Sequence, residues 1–221
     1  MKYIFFWGFL TLLFAHCQTP TAPRQFLQCY VRFDAVAGQV QADAIVRNGP
    51  NTLPDQPVEM PGGMLYQGSL MQVLPVQGLT YRRSYAADFV PEHTFGWVDA
   101  QGMRQKVVFP MSPISKFSFG VGPLLRSKPA TLRWEGGPLE KGEALVLMWE
   151  NRSLGQTVPM EIMRSGGDAS IEFPAAKIAE VPAGQWTLYL VRKRLAKTEI
   201  PGMAAEAVLE YYSKSDTIEV K

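Results

Sequence analysis

Residues 26–34 read Phe-Leu-Gln-Cys-Tyr-Val-Arg-Phe-Asp, and this stretch decides the fold class. Its apolar side chains occupy every second position: Leu27, Cys29, Val31 and Phe33. That period of two is typical of a β-strand with one buried face. It returns in residues 40–46 after a break at Gly38. We therefore expect two consecutive strands at the start of an all-β domain.

Short apolar runs separated by turn-forming residues continue along the rest of the chain. The 17 prolines and 19 glycines stand between these runs, which favours many strands joined by turns over long helices. Further strands are predicted at 64–74, 79–89, 95–98, 103–109, 116–121, 131–134, 144–150, 157–163, 170–173, 185–193, 205–212 and 217–221. One helical turn is predicted at 175–180. The predicted fold class is all-β, with two consecutive antiparallel β-sandwich domains.

The two sandwiches are expected at residues 26–122 and 130–221. Residues 123–129 between them lack strand periodicity and are expected to form a linker. Residues 18–25 carry Pro20 and Pro23 among small polar residues, which predicts an extended tether ahead of the first sandwich.

The first 17 residues resemble the signal peptide of a bacterial lipoprotein. Lys2 supplies a positive charge, residues 3–14 form a nearly continuous apolar run, and Cys17 follows it. About a dozen apolar residues are fewer than the roughly 20 that a membrane-spanning helix needs. We expect a lipidated Cys17 that anchors the protein to a membrane of the bacterial cell envelope, facing the periplasm or the exterior. His16 stands where the lipoprotein pattern has a small residue, so a secreted soluble protein is the alternative.

Tryptophans recur along the second half, in Leu132-Arg133-Trp134, at Trp149 and at Trp186 within residues 184–189. This arrangement resembles the immunoglobulin-like domains of exported bacterial proteins, over residues 129–221. Together with the leader, the chain is similar to uncharacterised bacterial surface or periplasmic lipoproteins built from such domains. That group shares no single activity, so the resemblance implies a fold and a location rather than a reaction.

Charge and cysteine content exclude several classes of function. The formal net charge is +2, which provides no concentrated basic surface, so we expect no nucleic-acid partner. A basic run, Arg192-Lys193-Arg194 with Lys197, is expected to protect the end of a strand against edge pairing. Cys29 lies on the apolar face of its strand, so we expect a small buried side chain, with a disulfide to Cys17 as the alternative.

No catalytic, metal or cofactor motif is present in the sequence. After removal of the leader His93 is the sole histidine, and there is no G-x-S-x-G elbow, H-E-x-x-H helix or paired C-x-x-C. Phosphate-binding and dinucleotide-binding glycine loops are also missing. We therefore expect no cofactor, no metal site and no catalytic residue. A pair of carboxylates that hydrolyses a polysaccharide has no sequence signature and stays open.

One cluster of titratable residues is the candidate polar site: Asp88, Glu92, His93 and Asp99. The alternative is a solvated loop that leads into a hairpin at residues 99–102. Aromatic residues are candidates for stacking on sugars: Tyr81, Tyr85, Trp97, Tyr189, Tyr211 and Tyr212. Because Tyr211 and Tyr212 are adjacent on a predicted strand, at least one of the two rings should face outward.

The expected function is therefore a non-catalytic, membrane-anchored envelope or surface lipoprotein that binds or scaffolds, with an unknown protein or glycan ligand. One alternative is a hydrolase of envelope polysaccharide that uses acidic residues of the first domain. A second alternative is a soluble carbohydrate-binding or adhesion module.

Overall fold

The computed structural model describes residues 24–49, 56–74, 79–163 and 166–221. Within these ranges 60% of the residues lie in β-strands and 2% in one four-residue helix. The prediction of an all-β fold with antiparallel sheets is confirmed. The signal peptide, Cys17 and most of the tether lie outside the described residues. No helix in the described ranges is long and apolar enough to span a membrane.

The strands of the first half are β1 (Arg24–Asp34), β2 (Gln39–Gly49), β3 (Gln56–Pro57), β4 (Met64–Tyr66), β5 (Ser69–Leu70), β6 (Gln72–Leu74), β7 (Thr80–Ala86), β8 (Glu92–Val98), β9 (Arg104–Pro110) and β10 (Phe117–Ser118). Those of the second half are β11 (Ala130–Trp134), β12 (Glu143–Asn151), β13 (Gln156–Ile162), β14 (Ser170–Phe173), β15 (Gly184–Ile200), β16 (Met203–Tyr212) and β17 (Asp216–Val220). The short helix α1 spans Ala175–Ile178.

Ten strands from both halves form one sheet, whose main path is β13-β12-β15-β16-β1-β2-β7-β6. The first strand of the chain pairs in parallel with β16, from Gln25 opposite Met203 to Asp34 opposite Tyr212. The other strand pairs of this sheet are antiparallel. The β1–β16 pair is therefore the seam at which the two halves of the chain become one sheet.

Two smaller sheets cover the inner face of the large one. The sheet β5-β4-β8-β9 lies over the first half, where the rings of Tyr66 on β4 and Tyr85 on β7 meet at 6.4 Å. The sheet β10-β11-β14 lies over the second half, where Phe119 contacts Trp149 and Phe173, each at 5.8 Å. One hydrophobic core runs through both halves.

Alternation explains why β1 and β2 form and which face they bury. In β1 the predicted residues Leu27, Cys29, Val31 and Phe33 are all buried. Cys29 is free, and burial raises the pKa of its thiol well above the ordinary value.

The predicted division into domains at 26–122 and 130–221 stays a prediction. At the expected linker, Leu124 donates from its amide to the Glu219 carbonyl, which ties this segment to β17.

The interpretation of the basic run as a strand end is wrong. Strand β15 continues to Ile200, so Arg192, Lys193, Arg194 and Lys197 lie within it, between β12 and β16 or beside β16. Each of them is within 4 Å of a carboxylate: Glu143 for Arg192, Glu210 for Lys193, Glu140 and Glu143 for Arg194, and Glu206 for Lys197. Pairing with acidic neighbours, which the sequence did not reveal, allows this charged run to continue a strand.

Arg192 is the buried member of the run, and its hydrogen bonds hold the loop of residues 136–138 in place. Its side chain is 2% exposed and lies 2.5 Å from Glu143 Oε2. It also donates to the carbonyls of Gly136 at 2.8 Å and Pro138 at 2.6 Å. Gly136 has φ of +125°, and a Cβ there would meet the Pro113 carbonyl at 1.9 Å, so only glycine fits.

Replacing Arg192 with methionine is expected to lower the free energy of unfolding by about 3–5 kcal/mol, because the Glu143 carboxylate stays buried and keeps, as its ion-pair partner in the described part of the chain, only the more distant Arg194 at 3.8 Å. The matched control is Lys177→Met, which breaks the exposed pair with Glu180. That change is expected to cost less than about 0.5 kcal/mol. Urea unfolding at neutral pH measures both values. Equal losses in the two variants would contradict the assigned role of Arg192.

Candidate functional site

The structure brings three of the four predicted polar residues to one cleft. Asp88, Glu92 and His93 line a cavity of about 570 Å³ at one end of the first half, between the large sheet and the sheet of β4, β5, β8 and β9. We call this cavity the end cleft. Its remaining lining residues are Phe33, Val40, Tyr66, Gln67, Tyr85, Ala87, Val90 and Pro91.

Asp99 does not belong to the end cleft. It follows the last residue of β8, whereas Glu92 and His93 are the first two residues of that strand. Its carboxylate accepts hydrogen bonds from the Gln105 side chain and from the amides of Met103 and Gln101. These bonds lower its pKa, with the Gln105 bond as the largest cause. Asp99 therefore stabilises the predicted hairpin turn.

Side chains alternate between the two faces of β8, so its first two residues point in opposite directions. Glu92 is exposed, whereas His93, Phe95 and Trp97 are buried on the inner face. Asp88 is also exposed, in the segment that joins β7 to β8. The two carboxylates thus stand at the rim of the end cleft and His93 at its inner end.

His93 is paired with Tyr66, and both side chains are fully buried. The Tyr66 hydroxyl lies 2.5 Å from His93 Nδ1, and the two rings are stacked at 6.0 Å. Burial lowers the pKa of His93 to about 4 and raises that of Tyr66, so both groups are neutral at neutral pH. His93 Nε2 has no hydrogen-bond partner among the described residues.

Phe89, in the segment between β7 and β8, packs beside His93. Its ring contacts Phe33 at 5.3 Å and Tyr211 at 5.2 Å, and it reaches His93 at 6.3 Å. Phe33 and Tyr211 are partners across the β1–β16 seam, and their rings stack at 5.5 Å. The inner wall of the end cleft is therefore supported by the seam between the two halves.

The rim of the end cleft is acidic. Neither Asp88 nor Glu92 has an ion-pair partner among the described residues, and the lining contains no lysine or arginine. The accessible aromatic surface is Tyr85, which is partly buried, with the Arg83 guanidinium 4.8 Å from its ring centroid. An aromatic wall with carboxylates at the rim is suited to binding a polar ligand.

The chemistry within reach of a ligand in the end cleft is limited. His93, the one histidine of the described ranges, is buried and neutral, and its side-chain hydrogen bond is with Tyr66 rather than with a serine or cysteine. No group of three or more metal-ligating side chains occurs in the described ranges. The arrangement provides hydrogen-bond acceptors and apolar surface.

The aromatic candidates fall into three groups. Tyr81, Trp97 and Tyr211 are buried, and Tyr85 lines the end cleft. Tyr189 and Tyr212 lie on the uncovered face of the large sheet, which confirms that one ring of the 211–212 pair faces outward.

The tyrosines of this open face are already occupied by neighbouring side chains. Arg32 lies 4.0 Å from the Tyr212 ring centroid, and the Tyr189 and Tyr212 rings stack on each other at 6.3 Å. Tyr189 donates its hydroxyl to Glu150, and Tyr212 donates to Glu210. Arg32 covers the Tyr212 ring much as Arg83 covers the Tyr85 ring, so ring access does not separate the two surfaces. The end cleft is the better candidate because it is a concave cavity.

Sequence reasoning missed Phe33, Tyr66 and Phe89 as parts of the site. Tyr66 reaches His93 from 27 positions earlier in the chain, on a strand of three residues. Its signal was the alternation of Met64 and Tyr66, which places both on the buried face of β4. Which residues face each other across two sheets depends on packing that a local pattern does not encode.

No protein-family model matches the chain, and no curated protein matches its sequence. Among solved structures, it is similar to SGBP-B of the Bacteroides ovatus mixed-linkage glucan utilization locus, solved with a mixed-linkage heptasaccharide. The identity is 12% over 92% of this chain, with a TM-score of 0.26. This chain spans 61% of the length of that protein.

Two further structures are similar at the same level. Clostridium thermocellum CbhA fibronectin(III)-like modules share 11% identity over 89% of this chain and 92% of theirs, with a TM-score of 0.24. Chicken CNTN1 FN1-FN3 domains share 10% identity over 81% of this chain and 62% of theirs, with a TM-score of 0.22. TM-scores this low carry no argument about the ligand or the arrangement of the strands.

Acidification is expected to destabilise the protein through His93. The unfolded chain binds a proton at the ordinary pKa of 6.5, whereas the folded chain binds it only at about 4. Between these values the unfolded state holds more protons, so stability falls as the pH falls, by about 3 kcal/mol in total.

Urea unfolding of the wild type and of His93→Gln between pH 7 and pH 4 tests this expectation. The wild type should lose about 3 kcal/mol more than the variant over that range, because the variant lacks the titrating ring. Carboxylates elsewhere contribute equally to both proteins. If the free energy of unfolding changed with pH in the same way in the wild type and in His93→Gln, His93 would titrate normally and would not be buried in the folded protein.

Proposed function

We propose that the protein is a non-catalytic binding module of the bacterial cell envelope that is anchored by a lipid on Cys17 and takes its ligand into the end cleft. The observation that carries this proposal is the composition of the cleft. Its rim offers Asp88 and Glu92, which form no ion pair within the part of the chain that the structure describes, its wall offers Tyr85, and its buried histidine is neutral. Such a site binds by hydrogen bonds and stacking.

The anchor is supported by the leader and by the position of the first strand. Residues 3–14 are apolar and end shortly before Cys17. Strand β1 begins at Arg24, so about seven residues, spanning at most about 25 Å, join Cys17 to the folded part. A lipid on Cys17 would therefore hold the large sheet close to the membrane surface.

Growth of expressing cells with a labelled fatty acid tests the anchor. The wild type should carry the label and sediment with membranes, because acyl chains on Cys17 add about 0.8 kcal/mol of membrane affinity per buried CH₂. The Cys17→Ala variant should carry no label and appear in the soluble fraction. Equal labelling of both proteins would contradict lipidation at Cys17.

A thermal-shift screen with neutral oligosaccharides, amines and organic acids tests the end cleft. Any compound that binds the folded state should raise the melting temperature of the wild type. Tyr85→Ala should abolish the shift, since it removes the exposed part of the aromatic wall. Tyr189→Ala is the matched control, because that ring lies on the open face of the large sheet, and it should leave the shift unchanged.

Two results would contradict the proposal. A ligand-induced rise in melting temperature that is lost in Tyr189→Ala and kept in Tyr85→Ala would indicate that the binding site is on the open face. Cleavage of an oligosaccharide by the wild type, lost in Glu92→Gln, would show that the protein is the hydrolase considered above.

A further inference from the structure

In either tautomer of the histidine, the buried Tyr66–His93 pair leaves one polar hydrogen without an acceptor among the residues that the structure describes. If the phenol donates to Nδ1, the ring proton lies on Nε2, which has no partner in the described part of the chain. If Nδ1 carries the proton and donates to the phenolic oxygen, the hydroxyl hydrogen of Tyr66 is the one without a partner. Such a hydrogen destabilises a folded protein unless an acceptor reaches it.

The rim of the end cleft has the opposite requirement. Ionised Asp88 and Glu92 only accept hydrogen bonds, and no basic side chain of the lining donates to them. A ligand that satisfies the whole cleft must therefore donate hydrogen bonds at the rim and accept one at the inner end.

This pair of requirements separates the ligand classes. An amine or other cation would suit the acidic rim, but it brings donors only and would meet the donor hydrogen of the inner pair. An anion could accept from that pair, but Asp88 and Glu92 would repel it. A hydroxyl group both donates and accepts, and a sugar ring also presents an apolar face to an aromatic side chain such as Tyr85.

The inner pair borders the end cleft but has no exposed surface. Tyr66 and His93 both line the cavity, and both side chains are fully buried. The Phe89 ring lies next to His93 at 6.3 Å and is not part of the lining. A ligand in the end cleft therefore reaches the polar hydrogen of the pair only if the lining side chains move.

We propose that the end cleft binds the terminal ring of a neutral sugar, with ring hydroxyls donating to Asp88 and Glu92 and a ring or hydroxyl oxygen accepting from the Tyr66–His93 pair. This assignment rests on the proposed function, because it names the ligand class of the same cleft. It makes Tyr66 and His93 specificity-determining residues and gives the buried pair a role beyond packing.

Isothermal titration of the purified full chain tests the assignment with three kinds of probe: the neutral disaccharides cellobiose, lactose and N,N′-diacetylchitobiose, the cation spermidine, and the anion glucuronate. At least one disaccharide should bind, and spermidine and glucuronate should not. Tyr66→Phe and His93→Phe each remove one of the two groups that can carry the free hydrogen, so one of these two variants should weaken binding of that disaccharide about tenfold, which is the effect of one lost hydrogen bond.

The rim variants keep the test decisive if Tyr66→Phe fails to fold. Asp88→Asn and Glu92→Gln change exposed side chains, and each should weaken disaccharide binding about tenfold. The matched control Asp168→Asn changes an exposed carboxylate of the second half and should have no effect. Far-ultraviolet circular dichroism checks that each variant is folded.

Each contrary outcome has a separate meaning. Binding of spermidine that weakens in Asp88→Asn but not in Tyr66→Phe would overturn the sugar assignment and leave the end cleft as a binding site. Disaccharide binding that no cleft variant changes would overturn both the assignment and the proposed site. Absence of binding by every disaccharide in the folded wild type would overturn the sugar assignment alone.

Discussion

The parallel pairing of β1 with β16 is the constraint on which the rest of the structure depends. It sets ten residues of the first strand against ten residues of a strand almost 180 positions later. Parallel strands are usually buried on both faces, whereas here the sheet has one open face, held by side-chain contacts across the seam. On that face Tyr30 donates to Glu210 at 2.8 Å, and Gln28 donates to Glu206 at 3.1 Å.

The seam also builds the end cleft. On the inner face, the last buried side chain of β1, Phe33, stacks on Tyr211 of β16, and Phe89 packs against both rings. Phe89 in turn stands against His93, the inner residue of the cleft. A shift of the β1–β16 register by one residue would place Phe33 and Tyr211 on opposite faces of the sheet and remove their stacking contact. Fold and candidate site are thus coupled through one strand pair.

Much of the fold could be predicted from the sequence, because the period of two is local. The first two strands, the hairpin at 99–102 and the strand beginning near Gln185 all follow from alternation and turn residues. The parallel pairing of β1 with β16 could not be predicted, since no local pattern in residues 26–34 or 205–212 identifies the other segment as its pairing partner. The length of β15 was also missed, because the acids that neutralise Arg192 and Lys193 come from β12 and β16.

The candidate site was predicted in part for the same reason. Asp88, Glu92 and His93 are close in sequence and were found together, but Asp99 is equally close and lies at the far end of β8. Tyr66, the hydrogen-bond partner of His93, is distant in sequence and was not found. Local patterns identify faces and turns, whereas a site is completed by residues that tertiary packing brings to it.

We propose that this protein binds its ligand in the end cleft, and a backbone amide NMR titration with a neutral disaccharide is the most direct test. We expect chemical-shift changes concentrated at residues 66–67 and 85–93, with the open face around Tyr30, Tyr189 and Tyr212 unchanged. Chemical-shift changes confined to that open face, with residues 85–93 unaffected, would show that the ligand binds elsewhere.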